Sequence, residues 1–210
     1  MGSRQTMTFT EVEGLGLTDW RWLHGALHAH YASGGFAAGL ALVDRIGELA
    51  EAADHHPDVD LRYPYVRVTL VSHDAGGVTS RDVDLARQVS AAAAALGIPA
   101  DPSRLALLEI GLDAVDEAAI EPFWRAVLGL DDGSGEALPP VWFQQTEPHD
   151  VPRQRFHLDV TVAPEVAQQR IDAALAAGGT LVSADRAPAF TVLADAEGNR
   201  ACVCTAAGRD

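Results

Sequence analysis

The sequence predicts an α+β protein: an antiparallel sheet with helices on one face, followed by a second unit of βαβββ type. Three observations predict it. Segments of period-2 and helical hydrophobic spacing alternate through the first hundred residues. Gly97-Ile98-Pro99-Ala100-Asp101-Pro102 then interrupts the pattern with two prolines and a glycine. Beyond it a strand–helix–strands pattern occurs twice, each copy about 50 residues long, as an internal duplication would produce. The expected division is a loose, polar N-terminal segment over 1–14, a first domain over 15–98 and a second over 104–207.

Trp20–His24 and Leu27–Ala32 read as two short strands around Gly25. Ser33-Gly34-Gly35 breaks the chain and offers a helix start. Phe36, Leu40, Val43, Ile46, Leu49 and Ala53 then follow helical spacing towards His55, and Pro57 sets the limit of that helix. Leu61–Tyr63 and Tyr65–Ser72 are extended, the second with clean alternation of Val66, Val68 and Leu70. Thr79-Ser80-Arg81-Asp82 resembles a capping box opening a helix from Ser80 to Leu96. In the second half, strands are expected over Leu105–Leu112 and Val141–Thr146, with a helix over Asp116–Leu128 between them. A second copy follows: strand Arg155–Val162, helix Pro164–Ala177, and strands Thr180–Ala184, Ala189–Ala194 and Arg200–Thr205. The first copy looks one strand short, because 131–140 is polar and turn-like.

The formal charge is −15, with a pI near 4.7, so the surface should repel nucleic acid and anionic membranes. All 15 basic residues are arginine, a feature that fits genome composition better than function. No apolar run approaches the roughly 18 residues of a membrane span. The N-terminus lacks a signal-peptide core, and the only cysteines, Cys202 and Cys204, sit too close on one strand to pair. A cytoplasmic protein with free thiols is expected.

The chemistry-bearing residues of the first half cluster. Glu51 and His55 are four apart on the expected helix, with Asp54, His56 and Pro57 beside them, and His73 ends the best strand. Imidazoles flanked by carboxylates suit proton transfer near neutrality, and no nucleophile stands beside them. A Glu/His pair plus a distant His is equally a plausible metal-ligand set. Adjacent His55 and His56 diverge on a helix, which disfavours a shared ion. Taken singly, His56 reads as a dipole-complementing residue and Asp82 as a capping residue. Spacing alone leaves proton transfer and metal binding open.

Glu51-x3-His55-His56-Pro57-x5-Tyr63-x9-His73-x8-Asp82 resembles the signature of pterin-4a-carbinolamine dehydratases. The resemblance extends over about Trp20–Ala95. It implies metal-free, cofactor-free dehydration of a 4a-hydroxytetrahydropterin to the quinonoid dihydropterin. His55, His56 and His73 would be the catalytic imidazoles. Glu51 and Asp54 would orient them, Asp82 would support the pocket, and Trp20 (or else Trp22) would wall the pterin ring. A small-molecule pterin is thus the expected partner, and self-association is compatible with the family.

Ile120-Glu121-Pro122-Phe123-Trp124-x3-Leu128-Gly129 and Asp195-Ala196-Glu197-Gly198-Asn199 are similar to motifs of glyoxalase-like proteins of the vicinal oxygen chelate superfamily. That resemblance implies paired βαβββ modules, and in its metal enzymes one ligand from each of four strands. Here His157 alone clearly matches. Glu109 lies near the first position, Gln144 or Gln145 near the next, and Cys202 replaces an expected Glu. The expectation is therefore no metal, with Trp142, Gln144 and His157 lining a small-molecule pocket or the domain serving a structural part. The rival whole-chain readings are a metal-dependent lyase or dioxygenase in the second domain, and a non-catalytic scaffold keeping a relic motif. Retention of the motif positions opposes the relic.

Overall fold

The computed structural model describes residues 5–118, 121, 139–148, 156–176, 178–194 and 200–209. The chain forms two compact units: the second spans Ala106–Thr205, and the first runs to Leu105 and takes back the residues from Ala206 onward.

The first unit is a four-stranded antiparallel sheet of order β1-β2-β4-β3, from β1 (Trp20–Leu23), β2 (Ala26–Tyr31), β3 (Asp58–Arg62) and β4 (Tyr65–Leu70). β1 and β2 join through His24 and Gly25, both at positive φ (49° and 75°), the two-residue turn whose twist matches a hairpin. Alternation puts Leu27, Ala29, Tyr31, Val66, Val68 and Leu70 on one face, under helices α2 (Phe36–Ala53) and α3 (Ser80–Ala95). Leu42, Ile46, Leu85 and Val89 come down from those helices to complete the core.

Three local departures from the sequence expectation have physical causes. Residues 5–14 are not loose. Thr8 and Glu11 form a capping box that starts α1 (Phe9–Glu13), and Val12 is buried in the core. α2 stops at Ala53, because Asp54 adopts a left-handed cap (φ 47°) and the His55 N–H turns back to the Ala50 carbonyl. His55 and His56 therefore lie beyond the helix, not on its face. β3 begins at Asp58 and ends before Tyr63-Pro64, which make the tight turn into β4, so Tyr63 is 71% exposed.

The second unit is a six-stranded sheet of order β6-β5-β7-β10-β9-β8. Its strands are β5 (Ala106–Ala114), β6 (Val141–Gln145), β7 (Phe156–Val162), β8 (Thr180–Ser183), β9 (Phe190–Ala194) and β10 (Arg200–Cys204). With α4 (Pro164–Ala176), strands β7 to β10 form a βαβββ module whose first and last strands pair in parallel. β5 and β6 repeat that parallel pairing, and β5 meets β7 antiparallel at the centre. Among the described residues the first module contributes those two strands only. The expected helix over Asp116–Leu128 lies largely outside the described residues, as do most of 120–129 and all of 195–199.

Alternation sorts this sheet's faces. Val160, Val162, Leu193 and Val203 pack against Ala167, Ile171 and Leu175 of α4. The opposite face carries Glu109, Asp113, Trp142, Gln144, His157, Asp159 and Cys202, as the strand registers dictate.

On the first sheet's other face, His28 is held neutral. Its Nε2–H donates to the Leu23 carbonyl (3.1 Å), and Nδ1 accepts from the Thr69 hydroxyl (3.1 Å). Burial, more than the nearby positive charge, lowers its pKa to about 4. Since the folded value lies below the unfolded one, the unfolded chain binds the proton first as the pH falls. Stability is whole above about pH 6.5 and declines towards pH 4, by at most about 3 kcal/mol. Urea unfolding of wild type and His28→Gln across that range should show a steeper acid decline in the wild type. Parallel curves would refute the assignment.

Candidate functional site

In the first unit, His55 and Asp82 of the motif meet at a buried hydrogen bond. Asp82 is fully buried in the first turn of α3, where its Oδ2 accepts the Thr79 backbone N–H (2.7 Å) and closes the capping box. The same oxygen accepts the hydroxyls of Ser72 (2.7 Å) and Thr79 (3.1 Å). Its other oxygen accepts Nε2–H of buried His55 at 2.7 Å. A carboxylate with only acceptor capacity fixes the His55 tautomer: the proton sits on Nε2, and Nδ1 keeps a lone pair.

The other motif residues follow from the chain path. His56 leaves the helix end in another direction, exposed, with Nε2 at 2.9 Å from Glu51 Oε1. Glu51 thus partners His56 rather than His55, because the left-handed Asp54 swings both histidines off the helix. Pro57 leads directly into β3. His73 is exposed in the 72–77 turn, which Gly76 (φ 71°) and an Asp74–Arg81 ion pair shape. Its neighbour Ser72 joins that turn to Asp82. Trp20, expected on a pocket wall, is a core residue: it is 3% exposed, stacks edge-on to Tyr31 and donates its indole N–H to Ser90 (3.0 Å). Trp22 is half-buried against the same core. Sequence reasoning missed Ser72, for which no local pattern existed.

The second unit gathers a different set. His157 Nδ1 lies 2.9 Å from Asp159 Oδ1, while Nε2 is 3.7 Å from an Asp113 oxygen. Trp142 stands edge-on to the imidazole at 5.1 Å, and Gln144 pairs in register with Asp113. Gly111, directly across from His157, leaves the ring its space: a Cβ there would approach Nε2 to 2.4 Å. The hydrogen bond that His157 donates to Asp159 raises the His157 pKa, against the effect of burial. Cys202, in register with Asp159 on β10, brings its thiol into this group, and contact with Cys204 together with burial pushes that thiol's pKa up. The sequence pairing of His157 with Trp142 is thus present in the structure, whereas Asp159 went unnoticed.

Residues 5–92 match the family model described as pterin 4 alpha carbinolamine dehydratase. Relatives named for that family include a Nocardia farcinica protein, 48% identical over 73 residues, which are 35% of this chain and 77% of the relative. The chain belongs to the pterin-4a-carbinolamine dehydratase family. A Mycobacterium leprae relative is 44% identical over 75 residues (36% of this chain, 80% of the relative). An Acidobacterium capsulatum relative is 55% identical over 56 residues (27% of this chain, 61% of the relative). Among solved structures, a Brucella melitensis protein titled transcriptional coactivator/pterin dehydratase overlays with TM-score 0.41 and 28% identity, covering 42% of this chain and 99% of its own. Residues 109–204 match a glyoxalase-like domain. This dehydratase-family chain therefore carries a glyoxalase-like second unit, and no helix among the described residues is long and apolar enough to cross a membrane.

A four-strand His/Glu ligand set of the kind expected from metal enzymes of the second unit's superfamily does not fit here. Gln144 and Cys202 stand at two of the corresponding strands. Among the described residues, the donors that come together are His157, Asp159 and Cys202, from β7 and β10.

Removing the buried anion tests the first site. Asp82→Ala strands a buried imidazole and a cap, and should destabilise the chain by about 3–5 kcal/mol. Asp82→Asn should cost less, since one oxygen remains an acceptor. Denaturant titration reads both, and an Ala variant within about 0.5 kcal/mol of wild type would remove Asp82 from its place as the site's anchor.

Proposed function

We propose that the first unit dehydrates a 4a-hydroxytetrahydropterin to the quinonoid dihydropterin, with His55, His56 and His73 as its acid–base groups. The observation that carries this reading is the His55–Asp82 bond of 2.7 Å, which holds one motif imidazole buried and in a single tautomer. An imidazole so fixed is oriented before substrate arrives, which is what general acid–base catalysis requires. One imidazolium gives its proton to the departing 4a-hydroxyl, which leaves as water. A neutral imidazole takes the proton from the ring nitrogen, so the elimination balances without an oxidant or a bound ion. Glu51 orients His56 across an exposed contact. Asp82 is a positioning residue that acts through His55, and Asp54 positions both histidines by ending the helix.

Stopped-flow assay of 4a-hydroxytetrahydropterin dehydration tests this. His55→Ala and His73→Ala should each lower the rate by roughly 10²–10⁴-fold with the fold retained. Rates equal to wild type in both would overturn the reading.

A second observation supports a binding role for the glyoxalase-like unit. Trp142, Gln144 and His157 share the sheet face opposite α4, with the His157 ring seated over Gly111. This face takes a small planar polar molecule, with the pterin product as the first probe. Calorimetric titration with dihydropterin should show a second site in the full chain that Trp142→Ala weakens at least ~10-fold; identical isotherms would count against it.

A further inference from the structure

We infer that Ser72 is a positioning residue that ties the placement of His73 to that of His55, through the one carboxylate of Asp82. That both imidazoles serve dehydration rests on the reading proposed above. Their mechanical coupling stands on hydrogen bonds.

Ser72 is 1% exposed, and each of its polar atoms is engaged. Its backbone builds the turn that carries His73. The N–H donates to the Gly77 carbonyl (3.1 Å), and the carbonyl accepts from the N–H groups of Ala75 (3.0 Å) and Gly76 (2.9 Å). The Ser72 hydroxyl leaves that turn, donating to Asp82 Oδ2 (2.7 Å) and lying 2.8 Å from the Thr79 hydroxyl. The other oxygen of the same carboxylate accepts from His55 Nε2 at 2.7 Å. Between the peptide that His73 shares with Ser72 and the ring of His55 thus stand two short hydrogen bonds, both to Asp82.

A second tie lies on the other side of His73. Asp74 pairs with Arg81, the residue before Asp82 in the first turn of α3. The residues flanking His73 are therefore bound to consecutive residues of one helix turn. The two ties differ in weight. The Asp74 and Arg81 side chains are 46% and 27% exposed, and partly solvated pairs contribute little. The Ser72–Asp82 bond is buried and made to a charged acceptor, the stronger class. Ser72 carries most of the coupling.

The helix cap does not account for this hydroxyl. The capping box of α3 closes with Thr79 and Asp82 alone. What Ser72 adds is a fixed separation between the His73 turn and the segment after α2. Two acid–base groups working on one substrate depend on such a separation, since a misplacement of about 1 Å can cost ~10²-fold in rate.

The test compares Ser72→Ala with Ser90→Ala in the full chain. The Ser90 hydroxyl also has two partners, Trp20 and Tyr31, but it lies further along α3, away from Asp82. Ser72→Ala should lower kcat for 4a-hydroxytetrahydropterin dehydration by about 10–100-fold with little change in KM, and Ser90→Ala should leave both near wild type. In the substrate-free chain, the imidazole ¹⁵N resonances of His55 should move in Ser72→Ala and stay in place in Ser90→Ala. His55 is the decisive reporter, because it is remote from Ser72 in sequence and joined to it through Asp82. Thermal unfolding checks that each variant is folded, and Ser72→Cys, close in size with a weak donor, replaces Ser72→Ala if that variant is not. A wild-type kcat in the Ser72 variant, or unmoved His55 resonances, overturns the coupling. Equal effects in Ser90→Ala overturn it as well, since general loss of stability would then be the cause. A wild type without dehydratase activity sinks the proposed reaction instead, while the His55 resonances still decide the coupling.

Discussion

The first unit depends on one buried anion. Taking a carboxylate out of water costs several kcal/mol unless hydrogen bonds replace its hydration. Asp82 recovers them from Thr79, Ser72 and His55, which come from its own helix cap, the preceding turn and the segment after α2. No single element could supply that set. The carboxylate therefore fixes three chain segments against one another, and the imidazole it orients is the one that the proposed chemistry needs held still. On the proposed reading, structural and functional demands on Asp82 coincide, since one carboxylate serves as a cap and as the anchor of His55.

Local interactions were legible in the sequence, and non-local ones were not. The Thr79–Asp82 capping box spans three residues and could be read directly, as could the His24–Gly25 hairpin and the alternation of β4. The end of α2 was displaced by two residues because Asp54 adopts a left-handed conformation that its identity permits without requiring. That small shift reassigned partners. Glu51 meets His56, and His55 meets Asp82, where helical spacing had joined Glu51 to His55. Ser72 carried no signal, since its role depends on a residue ten positions away. Trp20 was read as a ring wall from family resemblance, but its indole N–H found a partner in Ser90 of α3. α1 was taken for a loose tail because one buried valine is too little hydrophobic pattern to register.

In the second unit the same distinction is sharper. His157 stood out as the histidine of a strand, and its neighbour two positions on could have been noticed by period 2. Cys202 could not be placed beside Asp159 without the parallel register between β7 and β10, whose residues lie over forty positions apart in sequence. A side-chain group assembled by register is invisible to spacing.

Each unit sets a histidine against a carboxylate, in different surroundings. In the first, a single carboxylate is surrounded by donors, so its charge is satisfied within the fold and a bound ion would have to break those bonds. In the second, the His157 imidazole lies beside Asp159 and Asp113, and contact with Cys204 together with burial pushes the Cys202 thiol up. In both units a carboxylate fixes the direction of an imidazole, Asp82 that of His55 and Asp159 that of His157, but only the first of these carboxylates is also tied to a helix cap and a turn.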